Sequence, residues 1–115
     1  MKKKRGKFKV ATSIDFIEYV CDQVSSAGQV RYKKLFGEFI VYINGRPVFT
    51  VCDNTVYVKK IPEMSELLNG AQLGCPYDGA KVHYILDIDN AELALAAADI
   101  LKEVIPLPKP RKKKV

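Results

Sequence analysis

Residues 30–59 read VRYKKLFGEFIVYINGRPVFTVCDNTVYVK, and this stretch decides the fold. Short segments rich in β-branched and aromatic residues alternate in it with turn residues, which is typical of hairpin-linked strands. The pairs Asn44-Gly45 and Asp53-Asn54 tolerate positive φ, as the two central positions of a type I′ hairpin turn require. The pattern predicts four consecutive antiparallel strands, at residues 30–36, 39–43, 48–52 and 55–59.

The second of these strands, FIVYI, is apolar on both faces, so we expect it to lie in the interior of the sheet. Pro47 has no N–H to donate, and this predicts that the start of the third strand is unpaired or at an edge. In the fourth strand, Val56 and Val58 alternate with more polar residues, which predicts one apolar face.

Helical patterns flank the strands. Thr12 and Ser13 are good N-caps, and the apolar spacing that follows predicts a helix over residues 13–26, with Gly28 in the left-handed position after it. Past the fourth strand, Pro62 and an apolar face predict a helix of about two turns. A loop at residues 70–80, a fifth strand at 81–89 and a final helix capped by Asp89 or Asn90 follow, and Pro106 stops that helix.

This order of elements predicts one α+β domain over residues 12–106. Its expected architecture is an antiparallel meander sheet of about five strands, with an N-terminal helix, a short middle helix and a C-terminal helix on one face. A doubly wound nucleotide-binding fold needs crossover helices between strands, and the hairpins exclude these for residues 30–60.

The charge is concentrated at the two ends of the chain. Of the 19 basic residues, eleven lie in residues 1–9 and 109–115 without any acid, which leaves eight against the 13 acidic residues, a net charge of −5, in residues 10–108. We therefore expect a disordered basic arm at residues 1–11 and a disordered basic tail at 107–115 on a mildly acidic domain. Solubility, nonspecific contact with nucleic acid and contact with an anionic membrane surface are alternative roles for these cations. The predicted nucleic-acid-binding residues are Lys2, Lys3, Lys4, Arg5, Lys7, Lys9, Lys109, Arg111, Lys112, Lys113 and Lys114.

Catalytic, metal and cofactor motifs do not occur in the sequence. Its 115 residues suit a single domain, and no run of about 18 uncharged apolar residues predicts a membrane span. Cys21, Cys52 and Cys75 are far apart and odd in number, which indicates reduced thiols in a cytoplasmic protein, with the first two buried. One histidine and no close cysteine pair argue against zinc. The prediction is a protein without enzymatic activity, cofactor or metal.

An alternative places a small ligand-binding or catalytic site around Cys75, the loop at Tyr77 and His83. It requires these groups to converge within hydrogen-bonding reach. A second hypothesis is that the tyrosines stack on nucleic-acid bases, which requires them to line one exposed face together with Arg31, Lys33 and Lys34. The candidates are Tyr32, Tyr42, Tyr57, Tyr77 and Tyr84. Tyrosines also close the edges of a core with the hydroxyl in water.

The segment RYKKLFGEFIVYINGRPVF, after the helix SIDFIEYVCDQVSSAG, resembles the N-terminal domain of the TfoX (Sxy) family of competence regulators. TVYVKK, the loop Pro76-Tyr77-Asp78-Gly79 and a last strand and helix continue the same order, so the resemblance covers about residues 12–105. Leu35 stands where the family pattern has Met, and Glu38 stands where it has a second Gly. The family's C-terminal domain has no counterpart in this sequence.

The resemblance implies a regulatory module that acts by binding another protein, such as the transcription machinery. The matched basic segment is the predicted partner surface: Arg31, Lys33, Lys34, Phe36 and Gly37. A homodimer joined through an exposed strand edge is a further alternative.

Overall fold

The computed structural model describes residues 12–35 and 38–108, which form an α+β fold with one antiparallel sheet and two α-helices. This confirms the predicted fold class. The elements are α1 (Ile14–Gln23), β1 (Val30–Leu35), β2 (Glu38–Ile43), β3 (Arg46–Cys52), β4 (Thr55–Lys59), β5 (Leu73–Gly74), β6 (His83–Leu86) and α2 (Ala91–Val104).

The strands lie in the order β1-β2-β3-β4-β6-β5, and each neighbouring pair is antiparallel. As predicted, β2 is an interior strand. Both hairpin turns have the predicted backbone, with φ of 53° at Asn44, 82° at Gly45, 54° at Asp53 and 52° at Asn54. Positive φ at both central residues matches the right-handed twist of the strands they join.

The sheet has six strands, whereas the sequence predicted about five. The additional strand β5 has two residues, and it pairs Leu73 with Tyr84 and Gly74 with His83 at the edge of the sheet. Two residues are too few to show the apolar alternation of a strand, and this pair lies in the segment predicted as a loop. The strand predicted at residues 81–89 is also shorter, since β6 covers only His83–Leu86.

The predicted middle helix is wrong. Pro62–Met64 form one 3₁₀ turn, and turns continue to residue 70. The backbone bonds run from Met64 N to Ile61 O (2.9 Å) and from Ser65 N to Pro62 O (3.1 Å). A segment this short cannot offset the cost of helix nucleation, so burial of Met64 and Leu68 determines its shape instead.

A β-bulge explains how Pro47 fits into an interior strand. Val41 pairs with Phe49 while Tyr42 pairs with Pro47, which leaves Val48 as an extra residue in β3. Val48 and Phe49 are consecutive and both buried, as the bulge allows. Proline within a sheet is tolerated beside such irregularities. Pairing between β3 and β4 starts only at Thr50, so the β4 side of β3 is unpaired at Pro47, as predicted, and the bulge accommodates Pro47 on the β2 side.

The core lies between one face of the sheet and the two helices. Ile17, Val20 and Leu101 are fully buried against strand residues such as Val41 and Phe49. The predicted caps are present: the Ser13 hydroxyl accepts from Phe16 N, and Asn90 Oδ1 accepts from Leu93 N, both at 3.1 Å.

Long-range hydrogen bonds join α1 to the segment between β6 and α2. The Tyr19 hydroxyl donates to Asp89 Oδ1 at 2.6 Å, and Gln23 Nε2 donates to Ile88 O at 2.8 Å. The bond to Asp89 raises the pKa of Tyr19, because it favours the protonated phenol. α1 ends before the predicted boundary, and Gly28 has an extended backbone (φ 160°), so its predicted left-handed conformation is wrong.

Candidate interaction surface

Strand β1 presents a row of cations at one end of the sheet. Arg31, Tyr32, Lys33 and Lys34 are all exposed, and we call these four residues the cationic edge. Within residues 12–35 and 38–108, β1 pairs only with β2. Its other side is therefore an open strand edge in the part of the chain that the structure describes.

The pairing decides which backbone groups point toward this open edge. Asn44 N donates to Gln29 O at 2.9 Å, and the ladder continues with Arg31 opposite Tyr42. Hydrogen-bonded pairs alternate along an antiparallel ladder, so odd-numbered residues of β1 direct their backbone groups to β2. Tyr32 and Lys34 direct theirs to the open edge, where an added strand would bind.

The side chains of the cationic edge divide between the two faces of the sheet. Tyr32 lies on the helix side, where its ring meets that of Phe39 edge-on at 5.6 Å. Arg31 and Lys33 project from the opposite face. Together with Tyr32 they border an open pocket of about 470 Å³, which is also lined by Tyr42, Gly45 and Pro108.

The charges of the cationic edge are not neutralised by neighbours in the described chain. The ion pair found among the described residues joins Lys102 to Asp99 at 3.3 Å, far from β1 in the sequence. Arg31 and Lys33 thus lie together on one face and Lys34 lies on the other, and no ion pair is found for these three cations among the described residues. Phe36 and Gly37 of the predicted partner surface lie outside the described residues, as do the predicted nucleic-acid-binding cations at residues 2–9 and 109–114.

The sheet face that points away from the helices carries further candidate residues. We call this face the open face. Tyr42 on β2, Tyr57 and Lys59 on β4, and His83 on β6 share this face with Arg31 and Lys33 on β1. The five candidate tyrosines do not share this face: Tyr32 and Tyr84 lie on the helix side, and Tyr77 is exposed in the loop. Lys59 and His83 were missed as neighbours, because nothing in the sequence places β4 next to β6.

Two groups of the alternative small-molecule site, Cys75 and His83, lie near each other at the sheet edge, while Tyr77 is exposed in the loop. Cys75 is exposed and follows Gly74, which pairs with His83. The His83 ring packs edge-on against Tyr57 at 6.4 Å, and its Nδ1 lies 2.8 Å from Lys81 O. Burial raises the pKa of Tyr57, and the nearby Cys52, Asp53 and Cys75 raise it further. The hydrogen bond of His83 is thus made to the backbone of the segment just before β6.

An open pocket of about 490 Å³ lies between the turn at residues 67–72, β6 and α2. Of the described residues that line it, only Asp87 is titratable. No group of three or more His, Cys, Asp or Glu side chains in the described ranges is arranged to hold a metal ion. Half-buried Cys21 is not activated as a nucleophile, because burial, and then Asp22 and Glu18, raise the pKa of its thiol to about 11.

Comparison with known proteins gives a relative over nearly the whole chain. The sequence is 33% identical over 108 residues, covering 91% of this chain and 93% of the other, to a protein of Spirochaeta aurantia described as "Uncharacterized 12.7 kDa protein in trpE 5'region". The chain belongs to the family of this spirochaete protein. A scan against family models gives no match. No helix in the described residues is both long and apolar enough to cross a membrane.

Proposed function

We propose that this protein is a non-enzymatic regulatory module that binds another protein through the cationic edge. The observation that carries the proposal is a strand edge that is open within the described residues and carries three cations, Arg31, Lys33 and Lys34, for which no ion pair is found among those residues. Extended peptides bind such edges as an added strand, in which backbone hydrogen bonds give affinity and side chains give specificity.

The charge of the edge favours an acidic partner segment. A second copy of this chain is a poorer occupant, because two paired β1 strands would bring their cations face to face. The resemblance to the TfoX N-terminal domain supports a regulatory partner such as the transcription machinery. An odd number of cysteines far apart in the sequence supports a cytoplasmic location, where thiols stay reduced.

A charge-reversal experiment tests the proposal. The wild type, the variant Lys33→Glu/Lys34→Glu and the control Lys60→Glu/Lys81→Glu are used to capture proteins from native cytosol at two ionic strengths. All four lysines are exposed, and each variant replaces two of them with Glu, so the two variants change the net charge equally. We expect the wild type and the control to capture one protein that the edge variant does not capture. We expect its capture to be weaker at high salt.

Equal capture by both variants would contradict the proposal. A mass in solution that rises with protein concentration and falls in the edge variant would instead favour a homodimer through β1. The alternative small-molecule function predicts a different result. It requires a ligand whose binding protects Cys75 from alkylation and is lost in His83→Gln.

A further inference from the structure

The open face shares Arg31 and Lys33 with the cationic edge and extends from them across the sheet to residues that the proposed partner binding does not use. A single register line crosses it from Lys33 through Ile40, Thr50 and Tyr57 to Ile85. In the described chain both helices pack on the opposite face. On the open face Tyr42, Tyr57 and His83 are half-buried, and Gly74 of β5 lies against Tyr57 and Ile85. The result is a shallow platform across five strands.

Aromatic rings and cations are paired on this platform. Arg31 is the cross-strand partner of Tyr42, and Lys59 is the cross-strand partner of His83. The His83 ring meets the ring of Tyr57 edge-on. A cleft of about 120 Å³ lies where β3 and β4 separate near the bulge. It is lined by Ile40, Pro47, Thr50, Tyr57, Lys59 and His83, and also by the buried core residues Val48, Phe49 and Ile105.

Exposed carboxylates are concentrated on the helices, across the sheet from the open face: Asp15, Glu18, Asp22, Glu92, Asp99 and Glu103. The open face has Glu38 and Asp87 at the margins of the platform, and Asp53 lies close enough to Tyr57 to raise its pKa. Pro108 borders the pocket at Arg31 and Tyr42, and the next residues in the sequence are cationic.

We propose that the open face binds single-stranded nucleic acid, with bases against Tyr42, Tyr57 and His83 and phosphates at Arg31, Lys33 and Lys59. Unpaired bases stack on aromatic side chains of a sheet while cations track the backbone, and this mode tolerates many sequences. A duplex hides its bases and cannot use the rings. An acidic peptide would be attracted by the cations but would gain little from the rings.

Fluorescence anisotropy with the full-length protein tests this assignment. The probes are a labelled oligouridylate, an oligodeoxythymidylate, a duplex of equal length and a polyglutamate peptide. We expect the single strands to bind most tightly. Tyr42→Leu and Tyr57→Leu keep apolar bulk but remove the ring, and each should weaken single-strand binding by about 5- to 150-fold. Tyr57→Phe should retain it.

Matched controls separate the face from the rest of the molecule. Tyr77→Leu removes an exposed tyrosine from the loop, and Lys60→Gln removes a cation whose Nζ lies over the Tyr84 ring on the helix side, 5.3 Å from its centroid. Both should leave single-strand affinity unchanged. Lys59→Gln should reduce the slope of log K against log salt by about 0.7, the contribution of one phosphate on a single strand.

Several outcomes would overturn the assignment: wild-type affinity in folded Tyr42→Leu and Tyr57→Leu, tighter binding of the duplex, or equal binding of polyglutamate. If a leucine variant does not fold, the wild type is instead titrated with oligouridylate, and the changes in its NMR amide chemical shifts are measured. Shifts at Thr50, Tyr57 and Ile85 support the platform, and shifts confined to α1 and α2 refute it. Tyr57→Leu leaves the cationic edge intact, so its result is independent of the proposed protein partner.

Discussion

Gly28 is required for space rather than for a special backbone conformation. A Cβ at this position would lie 2.7 Å from Asn44 Oδ1, closer than packed atoms allow. That oxygen accepts a hydrogen bond from Gln29 N at 2.9 Å, so the Asn44 side chain joins the β2–β3 turn to the start of β1. Gly28 and Asn44 therefore act as a pair.

We predict that Gly28→Ala destabilises the protein by about 1–2 kcal/mol, because the Asn44 side chain must move and lose its bond to Gln29 N. Asn44→Gly removes the obstructing side chain and still tolerates the φ of 53°. In that background Gly28→Ala should cost much less. Urea unfolding of the four proteins of this cycle gives the coupling free energy, and additive effects would show that the two residues are independent.

The turn residues were predictable because their constraint is local, and the role of Gly28 was not, because its constraint is long-range. The φ preference of Asn44, Gly45, Asp53 and Asn54 is a property of each residue and its neighbour, so the dipeptides were sufficient. The constraint on Gly28 comes from a side chain 16 residues away. No local pattern could reveal it before the strands were paired.

At the scale of elements, caps determine where the helices begin. Asn90→Ala should lower the free energy of unfolding by about 1 kcal/mol, because Leu93 N loses its acceptor at the start of α2. Asn90→Gly should cost only a few tenths, since glycine exposes the same N–H to water. Ser13→Ala provides the matched change at α1. Chemical denaturation at constant m-value measures all three.

A loss from Asn90→Gly as large as that from Asn90→Ala would mean that the side chain of Asn90 acts through something other than the cap. α2 contributes Ala94, Ala97, Ala98 and Leu101 to the core, all fully buried. Fraying at its first turn should therefore leave this packing in place and shift the denaturation midpoint without changing the slope.

Elements with a long apolar period were predicted, and short ones were not. The helices α1 and α2 and strands β2–β4 each repeat a buried position, which makes their apolar period visible in the sequence. Strand β1 has no buried residue. The turn at Pro62–Met64 and the two residues of β5 depend on what packs against them. The cationic edge was predicted because its residues are consecutive, whereas the open face combines residues of β2, β4 and β6 whose register appears only in the sheet.

For the whole molecule, charge follows the layers of the fold. Carboxylates cover the helices, while cations lie on the β1 edge, on the open face and, in the sequence, at both ends. Such a division orients an approaching polyanion toward the sheet side, because the field of separated charges extends beyond direct contact. Screening by salt should remove this orientation.

The last prediction concerns the eleven basic residues of the two ends. Replacing them with glutamine in the full-length chain should weaken binding of both duplex and single-stranded nucleic acid, and should make log K fall less steeply with log salt. The preference for single strands should remain, because Tyr42, Tyr57 and Lys59 are unchanged. Salt titrations of wild type and variant with both probes measure this, with Lys60→Gln as the control for loss of a single charge. Affinity and slope equal to those of the wild type would show that the ends do not contact phosphates. Loss of the single-strand preference would instead place base contacts in the ends and not on the sheet.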